Sequence, residues 1–224
     1  MTNNREQEAL AAYLKLLKNK GVSEVSLKRR EEILLQLFGL IETLECDGST
    51  YRESVETLLE GIDKSEWPFS VAVAREYFHF WVQDFKFIAA LSSDVGFDID
   101  PIDWMPPEHD LQSLWERLDN EKFEVCETWP LKAYTLALRQ EGAEQKLVDI
   151  RVKLVKLLLM RLRDAPDKTS KHYRIAVDAT VPLFARKETR RLFFGIVREF
   201  YYFWIGDPEA AQHIVLATNP VSYV

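Results

Sequence analysis

The residues of this chain best suited to chemistry are two short runs of charge set among aromatic side chains. Arg75–Asp84 reads REYFHFWVQD and Arg198–Asp207 reads REFYYFWIGD, each opening on an Arg-Glu pair inside an apolar stretch. A charge so placed is costly unless it is paired and hydrogen-bonded. Each pair therefore implies either a packing device or a polar site. Glu76 and His79 also stand three residues apart, a spacing that puts a carboxylate and an imidazole on one helix face, where they can share a metal ion or a proton.

The Glu-x-x-His form resembles the metal-holding motif of the ferritin-like di-iron proteins, over four residues. That resemblance implies a second histidine at the corresponding place of the other run, where Tyr202 stands instead. No cofactor and no dedicated metal site are therefore expected, Glu76 and His79 being the weak candidates. A third constellation, Arg186, Lys187, Arg190 and Arg191, gathers four cations at a helix start and could contact phosphates. Residues 9–41 resemble the core-binding helices of tyrosine recombinases, but the catalytic Arg, His-x-x-Arg and Tyr of that family have no match. Asp98, Asp100 and Asp103 lack the glycine and final glutamate of an EF-hand and read as a solvated acidic loop. The phosphate-binding, nucleophile-elbow and zinc-protease motifs are absent from the sequence.

The elements that would carry these residues are helices. With eight glycines, nine prolines and 47% hydrophobic residues, the composition is globular and poor in turn formers. Apolar residues recur at helical spacing: Leu10, Tyr13, Leu14 and Leu17 in a first helix, then Leu27, Leu34, Leu37, Phe38 and Ile41 in a second. In the second, Lys28, Arg29, Arg30, Glu31 and Glu32 are expected to point outward. Thr50 and Glu53 form a capping box for a third helix, and residues 69–91 form a continuous central one. Further helices are expected near 110–119, 130–141 (with Pro130 in its first turn), 143–163, 171–181 and 188–205, and a last one from Asp207 to about Thr218.

The two aromatic runs share five of ten residues, and most of the rest exchange one aromatic for another. Tyr51-Arg52 and Tyr173-Arg174 precede them at nearly equal distances. An offset of 122 or 123 residues then aligns Val55 with Val177 and Arg29 with Arg151. The sequence thus predicts an all-α, internally duplicated helical bundle: two three-helix units about a pseudo-two-fold axis. Residues 1–92 hold an N-terminal helix and the first repeat, 93–142 an acidic insertion, and 143–224 the second repeat. Within one compact chain, Arg75, Glu76, His79, Arg198, Glu199 and Tyr202 would meet at the axis, Arg75 pairing with Glu199 and Arg198 with Glu76.

The net charge of −7 is uneven, with the three segments summing to −4, −8 and +5, a pattern suited to a charged partner or to internal neutralisation. No apolar run suggests a membrane span or secretion signal, and Cys46 and Cys126 lie far apart in sequence, so a cytoplasmic protein with free thiols is expected. The leading expectation is a non-catalytic helical adaptor that binds a protein partner or itself. The alternatives are an enzyme or metal-dependent protein using the axial residues, and a nucleic-acid binder using the basic cluster.

Overall fold

A computed structural model describes residues 4–42, 44–93, 102 and 104–216, among which there are ten α-helices and no strand. The chain divides into two units, 1–103 and 104–224.

In the first unit, α1 (Asn4–Asn19), α2 (Glu24–Ile41), α3 (Gly48–Glu60) and α4 (Trp67–Trp81) pack together, and α5 (Phe85–Ser93) lies against α4. Helix α1 packs on α2 and α4, α2 on α3 and α4, and α3 on α4. The periodic residues explain this: Leu10, Tyr13 and Leu17 of α1 meet Leu27, Leu34, Leu37 and Ile41 of α2 and Val73, Tyr77 and Phe80 of α4 in one core. Helix α1 ends at Gly21, whose φ of +87° suits glycine, and Val22 donates back to the Leu17 carbonyl.

In the second unit, α6 (Leu111–Leu118) lies on α8 and is followed by α7 (Val125–Gln140), α8 (Gln145–Leu162), α9 (Ser170–Thr180) and α10 (Lys187–Ile205). Here α7 packs on α8 and α10, α8 on α9 and α10, and α9 on α10. These are the pairings of α1–α4 taken in the same order. Gly142 ends α7 at φ +82°, and Ala143 donates to the Leu138 carbonyl, as at the end of α1.

Several expectations need correction. Residues 125–140 form a helix packed on α8 and α10, with Leu131, Tyr134 and Leu138 buried. Each unit has four helices packed on one another and a fifth, α5 or α6, against one of them. The helix expected over 69–91 stops at Trp81. Gln83 takes a positive φ of 56°, the Asp84 amide closes on the His79 carbonyl, and α5 starts afresh. Asp47, rather than Thr50, caps α3 by accepting from the Ser49 and Thr50 amides. Pro130 sits inside α7, which begins five residues earlier with a Glu124–Glu127 capping box. The segment after Asp207 forms a single tight turn, Ala210–His213, then an extended stretch, and residues beyond 216 lie outside the described ones. So do Asp98, Asp100 and Asp103. No described helix is long and apolar enough to cross a membrane.

Candidate functional site

Three helices of each unit converge on one buried polar cluster. In the first unit α1 supplies Tyr13, α2 supplies Arg30 and α4 supplies Glu76. Arg30 Nη1 donates to the Tyr13 hydroxyl at 2.7 Å and to Glu76 Oε2 at 2.5 Å, and the Tyr13 hydroxyl donates to the same carboxylate oxygen at 2.6 Å. Tyr13 and Arg30 are almost wholly buried. Arg30 is therefore not outward as its charged neighbours suggested: it falls one turn from Leu27 and Leu34 on the core face of α2.

The second unit repeats the arrangement with Tyr134 of α7, Arg151 of α8 and Glu199 of α10. Tyr134 donates to Glu199 Oε2 at 3.0 Å, Arg151 Nη1 donates to the Tyr134 hydroxyl at 3.2 Å, and Arg151 Nη1 is ion-paired with Glu199 Oε2. A further element closes this cluster. The Val215 carbonyl accepts from Arg151 Nη2 at 3.0 Å, and the Val215 amide donates to Glu199 Oε1 at 3.3 Å.

Around each cluster the aromatic residues are also placed alike. Tyr51 of α3 donates to the Ala74 carbonyl at 2.7 Å and packs on Phe78 and Trp81, and Tyr173 of α9 donates to the Val197 carbonyl at 2.6 Å and packs on Tyr201 and Trp204. His79 stacks on Phe87 with ring centroids 3.4 Å apart, and Tyr202 stacks on His213 at the same distance.

The electrostatics favour packing over proton transfer. Burial, reinforced by the adjacent glutamates, pushes the Tyr13 and Tyr134 hydroxyls well above their ordinary range, so both stay protonated. Burial alone would depress the Arg30 guanidinium, but Tyr13 and Glu76 carry it above its usual value. Burial raises the Glu199 carboxyl against the opposing pull of Arg151, Tyr134 and the Val215 amide. A permanent cation and a tyrosine that keeps its proton make poor acid–base partners at neutral pH.

The cations that hold Glu76 and Glu199 are Arg30 and Arg151, each from the glutamate's own unit. Arg198 is exposed and Arg75 half-buried, because both stand one residue before the core-facing glutamate. Glu76 is held by Arg30 and Tyr13, whereas His79 Nδ1 lies 3.4 Å from Asp84. Among the described residues no group of three or more His, Cys, Asp or Glu side chains is arranged to hold a metal. In the basic cluster, Arg186 is the residue before α10, and Arg190 donates to the Phe184 and Ala185 carbonyls at 3.3 and 3.2 Å. Lys187 is half-buried and Arg191 exposed.

Sequence reasoning missed Tyr13, Arg30, Tyr134 and Arg151 as one constellation. The signal was present: Tyr and Arg are 17 residues apart in both pairs, and an offset of 121 relates Tyr13 to Tyr134, Arg30 to Arg151 and Gly21 to Gly142. An offset of 122 had aligned Arg151 with Arg29 instead. No family model matches the chain, and neither the curated proteins nor the solved structures yield a match to it.

Proposed function

We propose that the chain is a tandem of two copies of one four-helix unit, acting as a non-catalytic adaptor that takes an amphipathic helix of a partner protein on the outer face of α7. The matching helix pairings and the two Tyr-Arg-Glu clusters support the duplication. In this reading the clusters are keystones that fix where three helices meet, and recognition belongs to the surface.

The observation that carries the reading is a difference between the copies. Val125, Trp129 and Leu136 of α7 are 69%, 71% and 58% exposed, and Ala133 between them is exposed too. At 3.6 residues per turn the four lie within an arc of about 80°, opposite the buried Leu131, Tyr134 and Leu138. In α1 the corresponding residues, at the offset of 121, are Asn4, Glu8, Ala12 and Lys15. The fold therefore does not require an apolar stripe at this place. A stripe kept in one copy against the cost of exposing Trp and Leu is suited to binding.

Size and charge narrow the occupant. The stripe offers on the order of 400 Å² of apolar surface, below the ~800 Å² per partner of an ordinary protein–protein interface but fitting a single docked helix. Lys132 and Arg139 are exposed along one edge, so the complementary helix carries acidic residues beside its apolar face. A photo-reactive residue placed at position 129, with position 8 of α1 as control, tests this in the native host cell. The expected adduct is a peptide of apolar and acidic residues, formed at 129 and not at 8. Equal labelling at both positions, a nucleic-acid adduct, or an adduct to a second copy of the chain would contradict the assignment.

A further inference from the structure

The two polar clusters differ in one respect that points to a second binding site, independent of the α7 face. In the second unit the ion pair is completed by the main chain of one residue. The Val215 carbonyl accepts from Arg151 Nη2 while its amide donates to Glu199 Oε1. Val215 itself is 68% exposed and follows Ile214 in extended conformation (φ −73°, ψ 126°). The pair thus grips backbone and leaves the side chain in solvent, as sheet edges do with an added strand.

In the first unit the same gripping atoms are unfilled. Arg30 has no exposed surface, yet among the described residues its Nη2 has no hydrogen-bond partner, whereas the Nε of Arg30 and of Arg151 lacks one in both units. The Glu76 side chain keeps 19% of its surface exposed, against 8% for Glu199, and only its Oε2 is engaged. Counting along the chain from the glutamate, Ser92 of α5 would stand where Val215 stands, but it lies in a helix that donates its own hydrogen bonds and is solvent-exposed. The neighbouring aromatic seat is filled: Phe87 stacks on His79 as His213 stacks on Tyr202. What the described residues of the first unit do not supply is the peptide group. A buried guanidinium nitrogen without an acceptor is destabilising and calls for an explanation.

We propose that the Arg30–Glu76 pair is a seat for one residue of an extended peptide segment from a partner protein, its carbonyl accepting from Arg30 Nη2 and its amide donating to Glu76 Oε1. The first unit receives in trans what the second supplies in cis. The Phe69 ring, whose centroid lies 5.6 Å from the Arg30 guanidinium carbon, covers the seat and turns aside on entry. Because the seat reads main chain, it selects an extended conformation rather than a particular side chain at the gripped residue.

The chain's own strap supplies the probe. An acetylated, amidated hexapeptide of residues 211–216, Ala-Gln-His-Ile-Val-Leu, is titrated into the full chain while the arginine side-chain nitrogens are followed by NMR. The expected result is a saturable 1:1 shift of the Arg30 Nε resonance, with affinity falling about tenfold or more when the valine amide of the peptide is N-methylated. Methylation leaves the protein untouched, so loss of folding cannot imitate the effect. No shift at millimolar peptide, equal binding of the methylated peptide, or a shift of Arg151 alone (displacement of the resident strap) would each overturn the proposal.

Discussion

Replacing Arg151 with methionine removes the donor on which the second unit's cluster is built. The guanidinium is 6% exposed and its carboxylate partner 8%, so solvent cannot take over the orphaned charge. Breaking such a pair costs roughly 3–5 kcal/mol. The Tyr134 hydroxyl and Val215 amide remain as donors to Glu199, which places the loss near the lower end, about 3 kcal/mol.

The loss should depend on pH in a defined direction. Burial already holds the Glu199 carboxyl above its ordinary range, and Arg151 is the strongest influence drawing it down. A carboxyl raised in the folded state contributes its full share below the unfolded value, near 4.3, and loses it as pH rises through the folded value. Without Arg151 the folded value moves further up. The deficit of the variant should therefore be small below pH ~4 and grow by up to about 1.4 kcal/mol per pH unit before levelling off. Hydrogen exchange read peptide by peptide is the assay, because it reports α7, α8 and α10 separately from the first unit. Adding Glu199→Gln to the variant should restore part of the loss, since no charge is then stranded. A deficit below about 1 kcal/mol, or one flat between pH 4.5 and 7.5, would refute the buried pair.

Smaller perturbations test other joints. Tyr173→Phe removes the hydroxyl that donates to the Val197 carbonyl and should cost about 1 kcal/mol in chemical denaturation. Gly142→Ala forces a Cβ onto a φ of +82° at the end of α7, and a loss of about 1 kcal/mol is expected, visible as a lower melting temperature. Trp129→Ala, by contrast, should leave stability within about 0.5 kcal/mol of the parent, as a surface change does.

The helices were legible in the sequence because apolar spacing and end signals agree: Leu27, Leu34, Leu37 and Ile41 are all buried, and α9 and α10 lie within a residue or so of the expected bounds. The buried cluster was not. Arg30 lies in a run of five charged residues, and only the register of α2 against its core separates it from Arg29, which reaches Glu66. The likeness of α1 and α7 was hidden for a related reason. Apart from the exposed Ala12 and Ala133, the residues they share, Glu6 and Glu127, Leu10 and Leu131, Tyr13 and Tyr134, Leu17 and Leu138, recur every three or four positions, where the helix faces inward. Between them most positions differ. A linear comparison is dominated by the differing positions, so residues 93–142 read as an insertion. The break after Trp81 was missed because apolar residues continue through Phe85, Phe87 and Ile88, and Gln83 gives no warning of a positive φ.

If the second unit binds its partner through the outer face of α7, giving α7 the surface of α1 should abolish binding. A triple variant, Val125→Asn, Trp129→Glu and Leu136→Lys, installs the residues of the corresponding α1 positions on an exposed face. Its affinity for the partner helix recovered by photo-crosslinking is then measured by calorimetry alongside its melting temperature. The expected outcome is an unchanged melting temperature and binding weakened at least a hundredfold, since Trp129 is the anchor. Retained affinity in a folded variant would contradict it.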